Sequence, residues 1–264
     1  MGRSMNIRPA AVAGSFYEAD ANHLKQHILS LMSGAHGNTP CSPQVLIVPH
    51  AGYIYSGATA AEAYHTVAAL AGKIERVVLF GPAHRVALQG MAVPSVDAFA
   101  TPLGDVPLDK ESIARIAALP GVCVSDEAHR EEHSLEVQLP FLQTVLKHFS
   151  LVPVVVGHCA PETVASVMDA LWGGPETLLV VSTDLSHFHA YNAATELDTL
   201  TCQRLQAKDS ALSGQDACGA YALNGLMSTV HCQPLQVELV DMCNSGDTAG
   251  SRDQVVGYGA FVLH

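Results

Sequence analysis

The sequence predicts an α/β protein in which helices cover both faces of one central, mostly parallel or mixed sheet, a three-layer α/β/α arrangement. Three observations lead there. Apolar runs of strand length alternate with capped, amphipathic segments of helix length along the chain. The runs are apolar at nearly every position rather than every second one, as in strands buried on both faces. Four of them stop abruptly in polar residues: VLIV at Pro49-His50, RVVLF at Gly81-Pro82-Ala83-His84, the run 178–181 at Ser182-Thr183-Asp184, and VELV at Asp241. Open α/β sheets gather their crevice outside strand ends, so these four stops describe one convergent site.

Taken in order, residues 8–17, RPAAVAGSFY, form an irregular lead-in whose aromatics pack on the body. Asp20 caps a helix over 21–32 with Leu24, Ile28 and Leu31 on one face. A Gly-, Pro- and Asn-containing loop over 33–43 leads to the first core strand, 45–48. The following PHAGYIYSG carries Gly52 and Gly57, which permit tight backbone. An Ala-rich helix over 58–70 precedes the second core strand, 76–80, and a further strand falls at 87–93. Residues 99–106 form a turn around Pro102 and Gly104, and Asp109 caps a helix over 109–119. From Ser134 a helix buries Leu135, Leu139, Leu142 and Leu146, and Pro140 kinks it. Glu136 is expected to serve the start of that helix, although it lies too close to Ser134 for a capping box. Strands at 151–156 and 178–181 flank a helix over 161–172 that begins with Pro161. Helices at 192–207 and 216–229 and strands at 235–240 and 255–263 complete the chain, the last two as an antiparallel pair that makes the sheet mixed. No internal repeat or linker divides the sequence, so a single domain over 1–264 is expected.

Composition narrows the function. With 13 basic against 25 acidic residues the formal charge is −12, which argues against a nucleic-acid backbone as partner. No apolar stretch is long enough to span a bilayer, and MGRSMNIRPA lacks the apolar core of a secretory signal. Seven scattered cysteines without a CxxC pair read as reduced thiols, so a cytoplasmic location is expected.

The chemistry rests on the strand-end residues. His50 and His84 each follow a core strand through a Pro-containing turn and are the best metal ligands; a neutral imidazole suits Fe, Zn or Cu. Two histidines and one carboxylate would form a facial triad, with Asp247 of the NSGD loop or Asp184 supplying the carboxylate. His187 and His133 are the acid–base candidates, and Asp184 could orient His187 or share the metal. His129, His148, His158, His189 and His231 read as surface or loop residues, and Cys243 as a buried thiol without a role. A serine hydrolase built on Ser182 or Ser186 is disfavoured, since no GxSxG elbow is present and its triad members would crowd one short loop.

PHAGYIYSG, GPAHR, EEHSLEVQLPFL, STDLSH, NSGD and the terminal VVGYGAFVLH occur in this order across nearly the whole chain, and RPAAVAGSFY precedes them. Together they resemble the Memo family, also called AmmeMemoRadiSam system protein B. The resemblance implies a fold similar to class III extradiol dioxygenases, whose non-haem Fe(II) sits on two His and one carboxylate. It implies His50 and His84 as ligands, with Asp247 at the position where animal members carry a Cys ligand. It implies His187 as the acid–base histidine, His133 as a second substrate-side histidine and Asp184 as a site-lining acid. Fe(II) is the first expected cofactor, with Zn or Cu as alternatives. The expected activity is a dioxygenase-like oxidoreductase acting on a small molecule or peptide, with a pathway link to radical-SAM and AMMECR-type proteins. The alternatives are a binding protein for a ligand or phosphopeptide that reuses the cleft, and a zinc-type hydrolase.

Overall fold

The computed structural model describes residues 4–36 and 42–264. Cys41 and the middle of the 33–43 loop lie outside them. In chain order the elements are β1 (Ile7–Arg8), α1 (Ala21–Ser33), β2 (Val45–Val48), α2 (Tyr53–Val67), β3 (Arg76–Pro82), β4 (Met91–Val93), β5 (Ala98–Thr101), β6 (Gly104–Pro107), α3 (Lys110–Ala117) and β7 (Val122–Val124). There follow α4 (Asp126–Arg130), α5 (His133–Glu136), α6 (Leu139–Val145), β8 (Ser150–Val156), α7 (Pro161–Leu171), β9 (Thr177–Ser182), β10 (His187–His189), α8 (Tyr191–Gln206), α9 (Ala220–Ser228), β11 (Val237–Asn244) and β12 (Val255–Leu263).

The main sheet runs β10-β12-β2-β9-β3-β8-β4-β7, with β11 paired to β12. Its centre is parallel: β2 with β9, β9 with β3, and β3 with β8. The four central strands are buried at nearly every position, which is why their sequences do not alternate. β12 runs antiparallel to both β2 and β11, so the sheet is mixed as expected. Helices α1, α2 and α6 pack together, as do α3, α7 and α9, giving the α/β/α layering.

Several local expectations are corrected. Helix α2 begins at Tyr53, five residues early, with Gly52 at its cap. Gly57 sits inside it and serves packing: a Cβ there would lie 2.9 Å from Leu31 Cδ1 of α1. The segment expected as a turn at 99–106 is the β5–β6 hairpin, which pairs with β1 from the lead-in to form a second, three-stranded sheet. Leu135 and Leu139 lie on two short helices, and Pro140 occupies the first turn of the second, where its missing N–H costs nothing. Two short strands, β7 and β10, were not expected; both are too polar or exposed to show a strand pattern.

Candidate functional site

His50 follows β2, His84 follows β3, and Ser182 and Asp184 end and follow β9; all three strands run parallel, so these residues reach the same edge of the sheet. His133 opens α5, which packs on β3. Gly81 permits that approach, because a Cβ there would lie 2.8 Å from both Ser134 Oγ and Leu135 Cδ2. The outcome is a group of three histidines, His50, His84 and His133, each offering one ring nitrogen within 4.8 Å of the others. The rings of His84 and His133 stack at 4.6 Å, and His50 stands edge-on to both.

The hydrogen bonds around His50 assign its proton. Gln138 Nε2 donates to Pro49 O at 2.8 Å and to Ser182 Oγ at 2.9 Å, while Gln138 Oε1 accepts from Tyr64. Ser182 Oγ spends its only proton on Ser134 O at 2.6 Å. It can then only accept from His50 Nδ1, 2.9 Å away. The proton therefore sits on Nδ1, and Nε2 keeps its lone pair. Burial pushes the His50 pKa well below the usual imidazole value, with neighbouring His84 and His133 adding to the shift, so the ring is neutral at pH 7.

His84 is held by a carboxylate instead of a hydroxyl. Glu132 Oε2 accepts from the His84 backbone N–H at 2.6 Å, and Oε1 lies 2.9 Å from His84 Nδ1. Burial would raise the Glu132 pKa, but the bonds from His84 and Ser134 hold it down at about 2. As an ionised carboxylate it can only accept, so Nδ1 of His84 donates, and Nε2 is the ring nitrogen that Glu132 does not engage. His133 is pushed down to about 4, chiefly by burial. Its Nδ1 is buried without a hydrogen-bond partner. Three converging imidazoles, two with Nδ1 already committed and one with an orphaned buried nitrogen, fit a metal ion.

Beside the histidines lies an open cleft of about 420 Å³, lined by Phe16, His50, His133, Asp184, His187, Ser245 and Tyr258 among others. Asp184 is buried; its Oδ1 accepts from His50 N at 2.8 Å and its Oδ2 lies 3.9 Å from His50 Nε2. Burial raises its pKa to about 7. Asp184 thus holds the His50 backbone. His187 lines the cleft from β10, with a pKa lowered by burial.

Asp247 is not part of the three-donor group. It closes a capping box with Asn244, accepting from Asn244 N at 3.0 Å, and its other oxygen accepts from Tyr191 OH at 2.5 Å. Arg252 lies 3.9 Å away. Both oxygens are therefore engaged on the loop after β11. Cys243 is near Thr59, 3.1 Å from its hydroxyl, and burial raises its pKa to about 11.

Sequence reasoning passed over several residues that matter here. Cys218, just before α9, places Sγ 3.4 Å from His50 Nε2 and accepts from Asp184 N. Burial raises its pKa to about 12, so it is a thiol. Nothing local marked it. Glu132 did carry a signal, standing directly before His133 in EEHS, and Glu132 rather than Glu136 caps α5 by accepting from Ser134 N. Glu136 is instead fully buried, where it accepts from Arg8 at 2.8 Å, Tyr17 OH at 2.6 Å and the backbone of Ala11 and Val12. This network ties down the lead-in, whose Phe16 ring packs against His133, tilted by 43° with centroids 4.7 Å apart. His129, expected at the surface, is buried with Nε2 2.9 Å from Ala92 O, because α4 packs on β4.

The comparisons agree in direction. A family model described as Memo-like protein matches residues 8–262. The chain is 35% identical to a MEMO1 family protein of Aquifex aeolicus, over 96% of this chain and 98% of that one. It is 32% identical to a MEMO1 family protein of Sulfolobus acidocaldarius, covering 96% and 97%. A MEMO1 family protein of Methanopyrus kandleri is 34% identical, covering 97% and 98%. Among solved structures, an uncharacterized protein of Escherichia coli K12 shares the fold with a TM-score of 0.51 at 13% identity, over 81% of this chain and 98% of that one. Among the described residues no helix is long and apolar enough to cross a membrane.

Proposed function

This chain belongs to the Memo family, and on that premise we propose that its cleft is a metal-dependent catalytic centre with His50, His84 and His133 as donors. One observation carries the reading: three histidine ring nitrogens converge at the carboxyl edge of a parallel sheet, beside an open cleft. Three protein ligands leave a position for substrate, as catalytic rather than structural metal sites do. A metal held there supplies Lewis-acid polarisation of a substrate oxygen and, as Fe(II), the electrons that engage dioxygen.

The chain's own residues do the rest. Asp184, whose native pKa is about 7, can hold or release a proton beside His50. His187 faces the same space as a neutral base. Phe16 and Tyr258 contribute aromatic rings to the cleft wall, against which an apolar part of a substrate can pack. The substrate class that suits this space is a small molecule or a peptide side chain, and the reaction we favour is a dioxygenase-like oxidation on Fe(II). An all-imidazole donor set is also that of hydrolytic zinc sites, and this favours hydrolysis as the second reading. For Asp247 to serve as third donor, it would have to leave Tyr191 and the Asn244 amide.

The test is anaerobic titration of metal-stripped protein with Fe(II), Zn(II) and Cu(I), beside His50→Ala and Asp247→Ala. One tight equivalent is expected, lost in His50→Ala and kept in Asp247→Ala. Absence of stoichiometric metal would remove the catalytic reading and leave a ligand-binding cleft. Loss of binding in Asp247→Ala would restore the two-histidine, one-carboxylate set. Oxygen uptake by the iron form separates oxidation from hydrolysis.

A further inference from the structure

Glu132 is almost fully buried, and among the described residues its carboxylate makes no ion pair with Lys or Arg. A buried ionised carboxylate is costly unless a positive charge or several donors compensate it. Its donors are the His84 backbone N–H, His84 Nδ1 and Ser134 N. His133 Nδ1 lies 3.6 Å from the same Oε1, just beyond hydrogen-bond reach, and is the buried ring nitrogen without a partner. The stacked rings of His84 and His133 thus present corresponding nitrogens to one carboxylate. His50 differs, since its Nδ1 is backed by the uncharged Ser182 hydroxyl.

We infer that Glu132 is a positioning residue shared by two metal donors: it orients His84, takes the Nδ1–H of His133 when a cation occupies the site, and balances that cation's charge. The inference rests on the metal centre proposed above. It also accounts for the orphaned nitrogen, because a cation that engages Nε2 of His133 requires the ring proton on Nδ1, facing Glu132. An anionic acceptor makes the two rings stronger donors than a hydroxyl would.

The probes are Zn(II) and Co(II) alone, titrated into the full chain. Glu132→Gln is expected to keep one equivalent but bind it about 10- to 100-fold more weakly, with a shifted Co(II) visible spectrum. Ser182→Ala should weaken binding less, and Glu132→Asp should recover part of the loss. In case Glu132→Gln fails to fold, long-range imidazole NMR of the wild type gives the same answer. Adding Zn(II) should bring up a slowly exchanging Nδ1 proton on His133 beside that of His84. Wild-type binding that is lost in His50→Ala, but unchanged in Glu132→Gln and without a His133 Nδ1 proton, overturns the role of Glu132 and leaves the metal centre standing. A wild type that binds neither ion overturns both.

Discussion

At the floor of the cleft, His50 and Asp184, with Ser182 behind them, come straight off the ends of parallel strands and are buried; at its rim, His187 lines the cleft while nearby Phe188 and Asp247 are exposed, on a three-residue strand and a short turn. On the floor a chain of hydrogen bonds assigns the protons from Tyr64 through Gln138 and Ser182 to His50. The rim is looser and locally strained. Phe188 is 69% exposed yet holds a left-handed φ of +64°, at an irregularity in the β10–β12 pairing. The difference teaches a division of labour. A metal site needs donors held within a fraction of an ångström, which strand ends and a buried network supply. Selection among substrates can be left to a rim whose residues change without disturbing the core.

The largest expected effect tests how far the floor depends on its buried backing. Arg8→Ala leaves the buried Glu136 side chain without its ion-pair partner beneath the lead-in that carries Phe16. A loss of about 3–5 kcal/mol is expected in urea unfolding. A loss below about 1 kcal/mol would mean that the lead-in is a dispensable cover. Next comes pH. The native carboxyl of Asp184 is raised to about 7 from an ordinary value of 3.8, so its contribution to stability is present below pH ~4 and is lost as pH rises toward 7. His50, His133 and His187 have lowered native values and act in the opposite sense, losing stability as pH falls below about 6.5. Those contributions remain in Asp184→Asn, so the difference between variant and wild type isolates Asp184. In metal-stripped protein the variant should gain on the wild type by a few kcal/mol, on the order of the shift, between about pH 4 and 7, and no further above it. A flat difference would show that the floor admits water. The smallest effect belongs to the rim and has the opposite sign. Phe188→Gly should stabilise the fold by about 1 kcal/mol, since it relieves the left-handed backbone and gives up little packing. Destabilisation of similar size would show that the exposed ring packs after all, and would blur the contrast with the floor.

Much of the floor was legible. The runs VLIV, RVVLF and TLLVVS are buried on both faces, so they lack alternation, and a polar residue directly after such a run marks the edge where it leaves the core. That logic located His50, His84 and Asp184, and the Asp20 cap likewise located α1, where the side chain accepts from His23 N. The segment EEHSLEVQ was misjudged because charged residues are expected to face water. Glu132, Glu136 and Gln138 all turn inward, each satisfied by partners from distant parts of the chain, 44 to 128 residues away. No spacing rule within a helix reveals such partners.

The sequence by itself determined the main alternation of strands and helices, the parallel centre of the sheet and the edge where the histidines gather, because burial, helix caps and strand stops are local consequences of side-chain chemistry. Only the tertiary structure decided which polar residues share that edge as neighbours. It set His133 beside His84, turned Asp247 onto Tyr191 and Asn244, and brought Cys218 to His50. Hydrogen bonds between groups far apart in the chain depend on distances of a few tenths of an ångström, and those distances are settled by packing.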